Sequence, residues 1–162
     1  LTARIAEHDL VPFDLLRQKH FPPERNFLRA HLTMFHRLPG EHVETIVESL
    51  QSVAKKTRAI SARISGICHL GAGVAFAIDS PDLNAIRNAL RADFVHWLGL
   101  QDMRTWRPHI TVQNKAPVAQ ANRLHRELTD SFCPHDIKIV GLDLWRYLGG
   151  PWASQATVPL VE

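Results

Sequence analysis

Two stretches of this chain, 78 residues apart, follow one pattern. Arg29-Ala30-His31-Leu32-Thr33-Met34, continuing to Arg37-Leu38-Pro39, lines up with Arg107-Pro108-His109-Ile110-Thr111-Val112, continuing to Lys115-Ala116-Pro117. Each copy reads Arg, any residue, His, apolar, Thr, apolar, then a basic residue and a proline at matched places. The offset persists without a gap into the next segment, where Val43 meets Ala121, Ile46 meets Leu124, Leu50 meets Leu128 and Ala54 meets Phe132. Further on, Ala62 and Ile64 meet Val140 and Leu142; upstream of the motifs the register fades. Sustained self-similarity marks a duplicated structural unit. Each unit is expected to be a motif strand, a helix and a strand pair, with the two motif strands near a pseudo-twofold axis.

The local patterns agree. Over 41–57, Val43, Ile46, Val47, Leu50, Val53 and Ala54 fall on one face at helical period. Ser80-Pro81-Asp82 opens a second helix with an N-cap, a first-turn proline and an acid against the dipole, and Gly99 ends it. Its core face would be Leu83, Ile86, Leu90, Phe94 and Trp97. A third helix is expected over 118–132, and a weaker one over 13–19 with Pro12 at its start. The segments 59–67 and 73–78 read as one hairpin, and 136–148 and 154–161 as another through Gly149-Gly150-Pro151. The fold class expected is α+β: a bilobal duplicated sandwich of mostly antiparallel sheets, helices outside, with a central cleft carrying both motifs. No low-complexity tract or long linker divides the chain, so 1–162 reads as one two-lobed domain.

A lone His-x-Thr carries nothing, since among ten histidines about one such match arises by chance. The bland reading of either copy is a histidine on a half-exposed strand. The pair, embedded in a wider pattern at constant offset, is not so explained. On a strand, residues two apart share a face. His31 and Thr33 would point one way and Leu32 and Met34 into an apolar layer; His109 and Thr111 would do likewise, backed by Ile110 and Val112. One groove would then hold two imidazoles and two hydroxyls. Imidazole titrates near neutrality, so one histidine can accept a proton while the other donates one. The hydroxyls can hold non-bridging phosphate oxygens and stabilise developing charge. Carboxylates are absent from both motif strands, which leaves a two-metal site without obvious ligands there.

The segments His31-Leu32-Thr33-Met34 and Trp106-Arg107-Pro108-His109-Ile110-Thr111-Val112 resemble the paired H-Φ-[ST]-Φ motifs of the 2H phosphoesterase superfamily. That superfamily includes the bacterial 2′-5′ RNA ligase-like proteins and cyclic nucleotide phosphodiesterases. Motif spacing and element order fit over most of the chain, residues 1–28 less clearly. The resemblance implies a bilobal α+β sandwich and gives the histidine roles to His31 and His109 and the hydroxyl roles to Thr33 and Thr111. It further implies 2′,3′-cyclic phosphate or 2′-5′-linked RNA chemistry, with RNA or a small nucleotide as partner and no metal or other cofactor. Members act on different phosphodiesters, so the substrate, the direction of reaction and the identity of base and acid stay open.

Around this set, Phe35 continues the His31 face and would stack on a base. Arg37 and Lys115 occupy matched positions and would bind phosphate, against the common alternative of solvated surface charge. Arg29 and Arg107 share the histidine parity, and Arg107 is the substrate-binding candidate of the two. Trp145 and Tyr147 alternate with Leu144 and Leu148, and either line the cleft or pack on a neighbour. His36, His69, His125 and His135 show no ligand spacing.

The bulk properties narrow the classes. A net charge of +3 suits an anionic ligand but is too small for wrapping duplex nucleic acid. Cys68 and Cys133 are isolated, which argues against a zinc knuckle or disulfide framework and suits a reducing cytoplasm. No apolar run approaches a membrane span and no basic-then-apolar signal opens the sequence, although a start at Leu1 leaves a leader open. A monomer is expected. Two rival readings stand: a metal enzyme using His31 and His109 as ligands, for which no third ligand is evident, and a non-catalytic RNA- or nucleotide-binding module that kept the groove.

Overall fold

The computed structural model describes residues 1–162. Along the chain run β1 (Thr2–Ile5), α1 (Glu7–His20), β2 (Leu32–Thr33), α2 (Val43–Ala54), β3 (Ile60–His69), β4 (Val74–Asp79) and α3 (Pro81–Phe94). There follow α4 (Leu100–Met103), β5 (His109–Gln113), α5 (Val118–Asp130), β6 (His135–Tyr147) and β7 (Trp152–Pro159).

The periodic segments form the expected helices, and both expected hairpins form. At α3 the Ser80 hydroxyl accepts from the Leu83 amide at 3.3 Å. That helix stops at Phe94, short of Gly99, and a 3-10 turn over Val95–Trp97 carries the Trp97 ring onto His42, 4.7 Å between centroids. Helix α1 is longer than its sequence suggests, with Pro12 inside it instead of at its start. One missing hydrogen bond, to His8, is tolerated because Glu7 and Asp9 in the first turn and Arg17, Lys19 and His20 in the last complement the dipole. Strand β1 and the short α4 carry no periodic signal and were not expected.

All seven strands belong to one antiparallel sheet in the order β1-β2-β5-β4-β3-β6-β7, and β1 also pairs with β6. Six strands therefore close on themselves. Strand β7 lies on the edge of β6 opposite β1, since Leu142 pairs with both Ala3 and Val158. The expected α+β antiparallel architecture is present, and the two units share this one sheet.

The ring is built twice over. Strands β1, β2 and β3 have as counterparts β4, β5 and β6, and each pairing of one set recurs in the other. Leu32 pairs with Ile110, its own counterpart at offset 78. Across the ring, Ile60 pairs with Ile139 and Ser61 with Lys138, again residues exchanged by that offset. A pseudo-twofold axis passes through both places. Upstream, α1 starts at Glu7 and α3 at Pro81, each 14 residues long, so the offset there is 74. The four-residue difference falls between helix and motif, where the second unit carries α4. That insertion is why the register fades at sequence level.

One face of the sheet is apolar. Leu32, Ile64, Ile110, Ile139 and Leu142 join Ile46 and Leu50 of α2 and Leu83, Leu90 and Phe94 of α3 in a cluster of 30 buried residues. Each such side chain contributes about 1.5–3 kcal/mol on burial, so this face sets the register of the strands. At the β4–β5 junction a Cβ on Gly73 would lie 2.0 Å from the Gln113 carbonyl oxygen, so only glycine admits this approach. Cys68 and Cys133 are both free thiols. No helix is long and apolar enough to cross a membrane.

Candidate active site

Because Leu32 and Ile110 point into the core, the residues flanking them point to the opposite face. In the antiparallel register set by that pair, His31 stands across from Thr111 and His109 across from Thr33. Each motif histidine thus neighbours the other motif's threonine, and all four side chains share one face. Neither threonine hydroxyl has a hydrogen-bond partner in the protein.

Both histidines are oriented alike. His31 Nδ1–H donates to the Arg29 carbonyl at 2.8 Å, and His109 Nδ1–H to the Arg107 carbonyl at 2.8 Å. A carbonyl only accepts, so Nδ1 carries the hydrogen and Nε2 is the free nitrogen of each neutral ring. His135 makes the same contact to Cys133 at 2.9 Å, so the contact is local strand geometry put to use. Burial pushes the His31 imidazole down to about 4, with Arg17 and His109 adding repulsion against the Arg29 hydrogen bond. His31 is therefore neutral at physiological pH.

Two arginines brace the motif strands, each reaching into the other unit. From α1, Arg17 donates to the Thr111 carbonyl at 3.0 Å, and through Nε to the Leu28 carbonyl and Asn26 Oδ1, both at 2.9 Å. From α3, Arg87 donates to the Met34 carbonyl at 3.0 Å and to the Asp102 carbonyl at 2.9 Å. Burial lowers the pKa of both guanidiniums, yet both remain charged. Trp106 Nε1–H donates to the Thr33 carbonyl at 3.1 Å, and the Arg87 guanidinium lies over the Trp106 ring at 5.1 Å. Sequence reasoning missed these braces, since a buried arginine reads as a surface charge until its partners are known.

The remaining expected residues divide. Phe35 is a correction: it is 1% exposed, edge-on to Phe94 at 5.6 Å and beneath Arg87, with no face for a base. The chain leaves strand geometry after Thr33, so the parity argument that carried Phe35 to the open face does not reach it. Arg29 is held by Asp14 at 2.6 Å and Glu7 at 2.7 Å. Arg107 is exposed and without an ion pair beside His109. Lys115 lies in the turn beyond the far end of β5, at φ 58°, and is not brought beside His109. Its counterpart Arg37 is exposed, with its amide donating to Asp102 Oδ2 at 3.3 Å. The same carboxylate, 2% exposed, takes the His36 amide and Nδ1. Tyr147 is 69% exposed at the end of β6.

A cavity of about 430 Å³ adjoins the motif face at His31. Its walls include Arg4, Phe27, Asp143, Trp145, Trp152 and Thr157. The Trp152 ring lies 5.0 Å from that of His31 and 6.0 Å from that of Trp145. Sequence reasoning found Trp145 but missed Trp152, Phe27 and Asp143. The expected hairpin through Gly149-Gly150-Pro151 brings the two tryptophans together, and that was the available signal.

The model of the 2′-5′ RNA ligase superfamily matches residues 4–151. No curated protein matches the sequence. Among solved structures, TT0787 of Thermus thermophilus is 14% identical with a TM-score of 0.65, covering 98% of this chain and 95% of that one. A crystal structure of a phosphoesterase gives 14% identity and a TM-score of 0.64 over 99% and 96%. E. coli LigT in apo form gives 14% and 0.63 over 99% and 95%. These likenesses extend the shared fold across the whole chain. With its duplicated motifs and a family match over most of its length, the chain belongs to the 2′-5′ RNA ligase superfamily.

Proposed function

We propose that this protein is a metal-independent phosphodiesterase acting on 2′,3′-cyclic phosphates or 2′-5′-linked RNA and nucleotides, with His31 and His109 sharing acid and base work. The register that sets Leu32 against Ile110 carries this reading, because it groups two imidazoles and two unpartnered hydroxyls on one face. With Nδ1 engaged on each ring, Nε2 is the nitrogen available to exchange a proton. Thr33 and Thr111 would donate to the non-bridging oxygens, holding the ester in line between the rings and countering the charge that grows on it. No three His, Cys, Asp or Glu side chains are gathered as a ligand set, which favours acid–base work over coordination. Structures of E. coli LigT with 3′-AMP and with phosphate are among those of similar fold, and they support a nucleotide ligand here.

The test is turnover of 2′,3′-cyclic nucleotides, 2′-5′ oligonucleotides and ADP-ribose cyclic phosphate by purified protein in strong chelator, with products identified. Turnover of at least one class, lost on His109→Ala, is expected. Activity that survives that change on every substrate would overturn the reading.

A further inference from the structure

The two motif histidines donate alike but are presented by different backbones. His109 lies inside β5 and pairs with Ala77, and the preceding Pro108 carbonyl accepts the Ile78 amide at 3.0 Å. Proline fixes the backbone there and has no N–H to satisfy. His135, which makes the same ring contact to the carbonyl two residues back, also follows a proline, Pro134. His31 is the exception. It follows Ala30, and Arg29 and Ala30 precede a strand of only two residues. Neither a proline nor a sheet ladder holds the carbonyl that orients this ring.

Asp14 of α1 stands where that hold is missing. The residue is 7% exposed, and both carboxylate oxygens are engaged. Oδ1 accepts the Ala30 amide at 2.8 Å, and Oδ2 accepts Arg29 Nε–H at 2.6 Å. The other guanidinium nitrogens of Arg29 donate to Glu7 at 2.7 and 3.2 Å, so its side chain is tied at both edges. The Ala30 N–H and the Arg29 C=O belong to one planar peptide and point opposite ways. Fixing the N–H on one side aims the carbonyl on the other, where His31 Nδ1–H donates at 2.8 Å. Carboxylate, peptide and imidazole form one hydrogen-bonded chain, in which each bond polarises the next.

We propose, resting on the two-histidine reading above, that Asp14 is a positioning residue for His31. Acting through the Arg29–Ala30 peptide, it holds the ring in the Nδ1–H tautomer with Nε2 left open to the motif face. A neutral imidazole released from that contact favours hydrogen on Nε2, which closes that nitrogen as a proton acceptor. Whether His31 serves as base or acid, its proton passes through Nε2 while Nδ1 keeps its hydrogen, so the requirement is the same for both roles. The duplicated motifs thus reach one ring orientation by two means, a proline in the second and a buried carboxylate in the first.

The tautomer can be read directly. Two-bond proton–nitrogen correlation spectra of isotope-labelled protein, without substrate and at pH 8, above the ~6.5 of a free imidazole, report which nitrogen of each ring carries hydrogen. The His31 signal is identified by its loss in His31→Ala. Wild type is expected to show the Nδ1–H form at both His31 and His109. In Asp14→Ala, His31 should pass mainly to the Nε2–H form while His109 stays unchanged. Per folded molecule, kcat on a 2′,3′-cyclic nucleotide should fall about tenfold or more with KM within about threefold. Asp14→Asn keeps an acceptor for the Ala30 amide but loses the ion pair with Arg29, and should keep the Nδ1–H form and most of kcat. An unmoved His31 tautomer in Asp14→Ala, a change in both rings together, a shifted tautomer with unchanged kcat, or equal losses in the Asn and Ala variants overturns the proposal. If Asp14→Ala does not fold, wild type decides. A scalar coupling across the hydrogen bond, from the Ala30 amide nitrogen to the Asp14 carboxyl carbon, is expected, and its absence overturns the link. If no ester is turned over at all, the two-histidine reading fails separately, and the spectra still decide whether Asp14 sets the His31 ring.

Discussion

Arg17, on a helix of the first unit, donates to the backbone carbonyl of Thr111 in the motif strand of the second, at 3.0 Å. This guanidinium also repels a proton on His31, so one side chain fixes one motif and tunes the other. Arg17→Met should strip three acceptors of their donor and cost about 2–3 kcal/mol of stability, read as a lower urea midpoint. In the folded fraction the His31 pKa should rise, moving the acid limb of activity upward. An unmoved limb would confine Arg17 to a structural role.

His31→Ala and His109→Ala should each lower kcat/KM about 100-fold or more on an unactivated ester. Thr33→Ala and Thr111→Ala each remove one neutral hydrogen bond to the transition state and should cost about ten- to a hundredfold. Circular dichroism should show all four variants folded, since none of these side chains belongs to the buried apolar cluster. A threonine change costing more than a histidine change would reverse the assigned roles.

His31 is held neutral down to about pH 4. For diester cleavage with His31 as base, the acid limb of kcat/KM should lie near pH 4, below the ~6.5 of a free imidazole. Stability carries the same signature. Between about pH 6.5 and pH 4 the unfolded chain binds a proton at this histidine and the folded chain does not, so stability falls as pH falls through that window. His31→Asn should flatten this part of the profile, which urea titrations at pH 7, 5.5 and 4 will read. An unchanged slope would assign the effect to other groups.

With chelator present, the pH profile should keep both its shape and its height, because no ligand set is gathered at the motifs. Loss of activity in EDTA, restored by a divalent cation, would replace acid–base catalysis with a metal mechanism.

Asp102 is buried beside the first motif and accepts the amides of His36 and Arg37 and the His36 ring. Asp102→Ala orphans these donors and should cost about 2–4 kcal/mol, seen as a lowered melting temperature. His36→Gln, which keeps its backbone amide bound, should cost much less. Equal losses would place the stabilisation in the ring contact alone.

Much of this molecule was legible in the sequence because duplication doubles each signal. His31 and His109, read separately, are ordinary strand histidines; their constant offset identified a unit and predicted the shared face that the Leu32–Ile110 pairing now explains. Side-chain parity failed where the strand ended, as at Phe35, because a two-residue strand sets direction no further. Strand β1 escaped notice because four residues give too little alternation to read. The relation of α1 to α3 escaped because the four-residue difference at α4 shifts the offset there from 78 to 74. Arg17 and Arg87 act through contacts made by distant segments, and local pattern holds no trace of such contacts.

Closure of the sheet has a mechanical meaning for the chemistry. Neighbouring strands lie about 4.8 Å apart, so the backbone separation of the two motifs is fixed by hydrogen bonding within a ring, with no hinge between them. Spreading them would require tearing β2 from β5 while β1 and β4 still hold the outer edges of both. A phosphate arriving there meets groups already at working distance, so little binding energy is diverted into assembling them. Adjustment to substrates of different length is left to the segments around the rim, above all the β6–β7 hairpin and the stretch holding Phe27. Variants there should retune what is accepted without disturbing how the bond is cut.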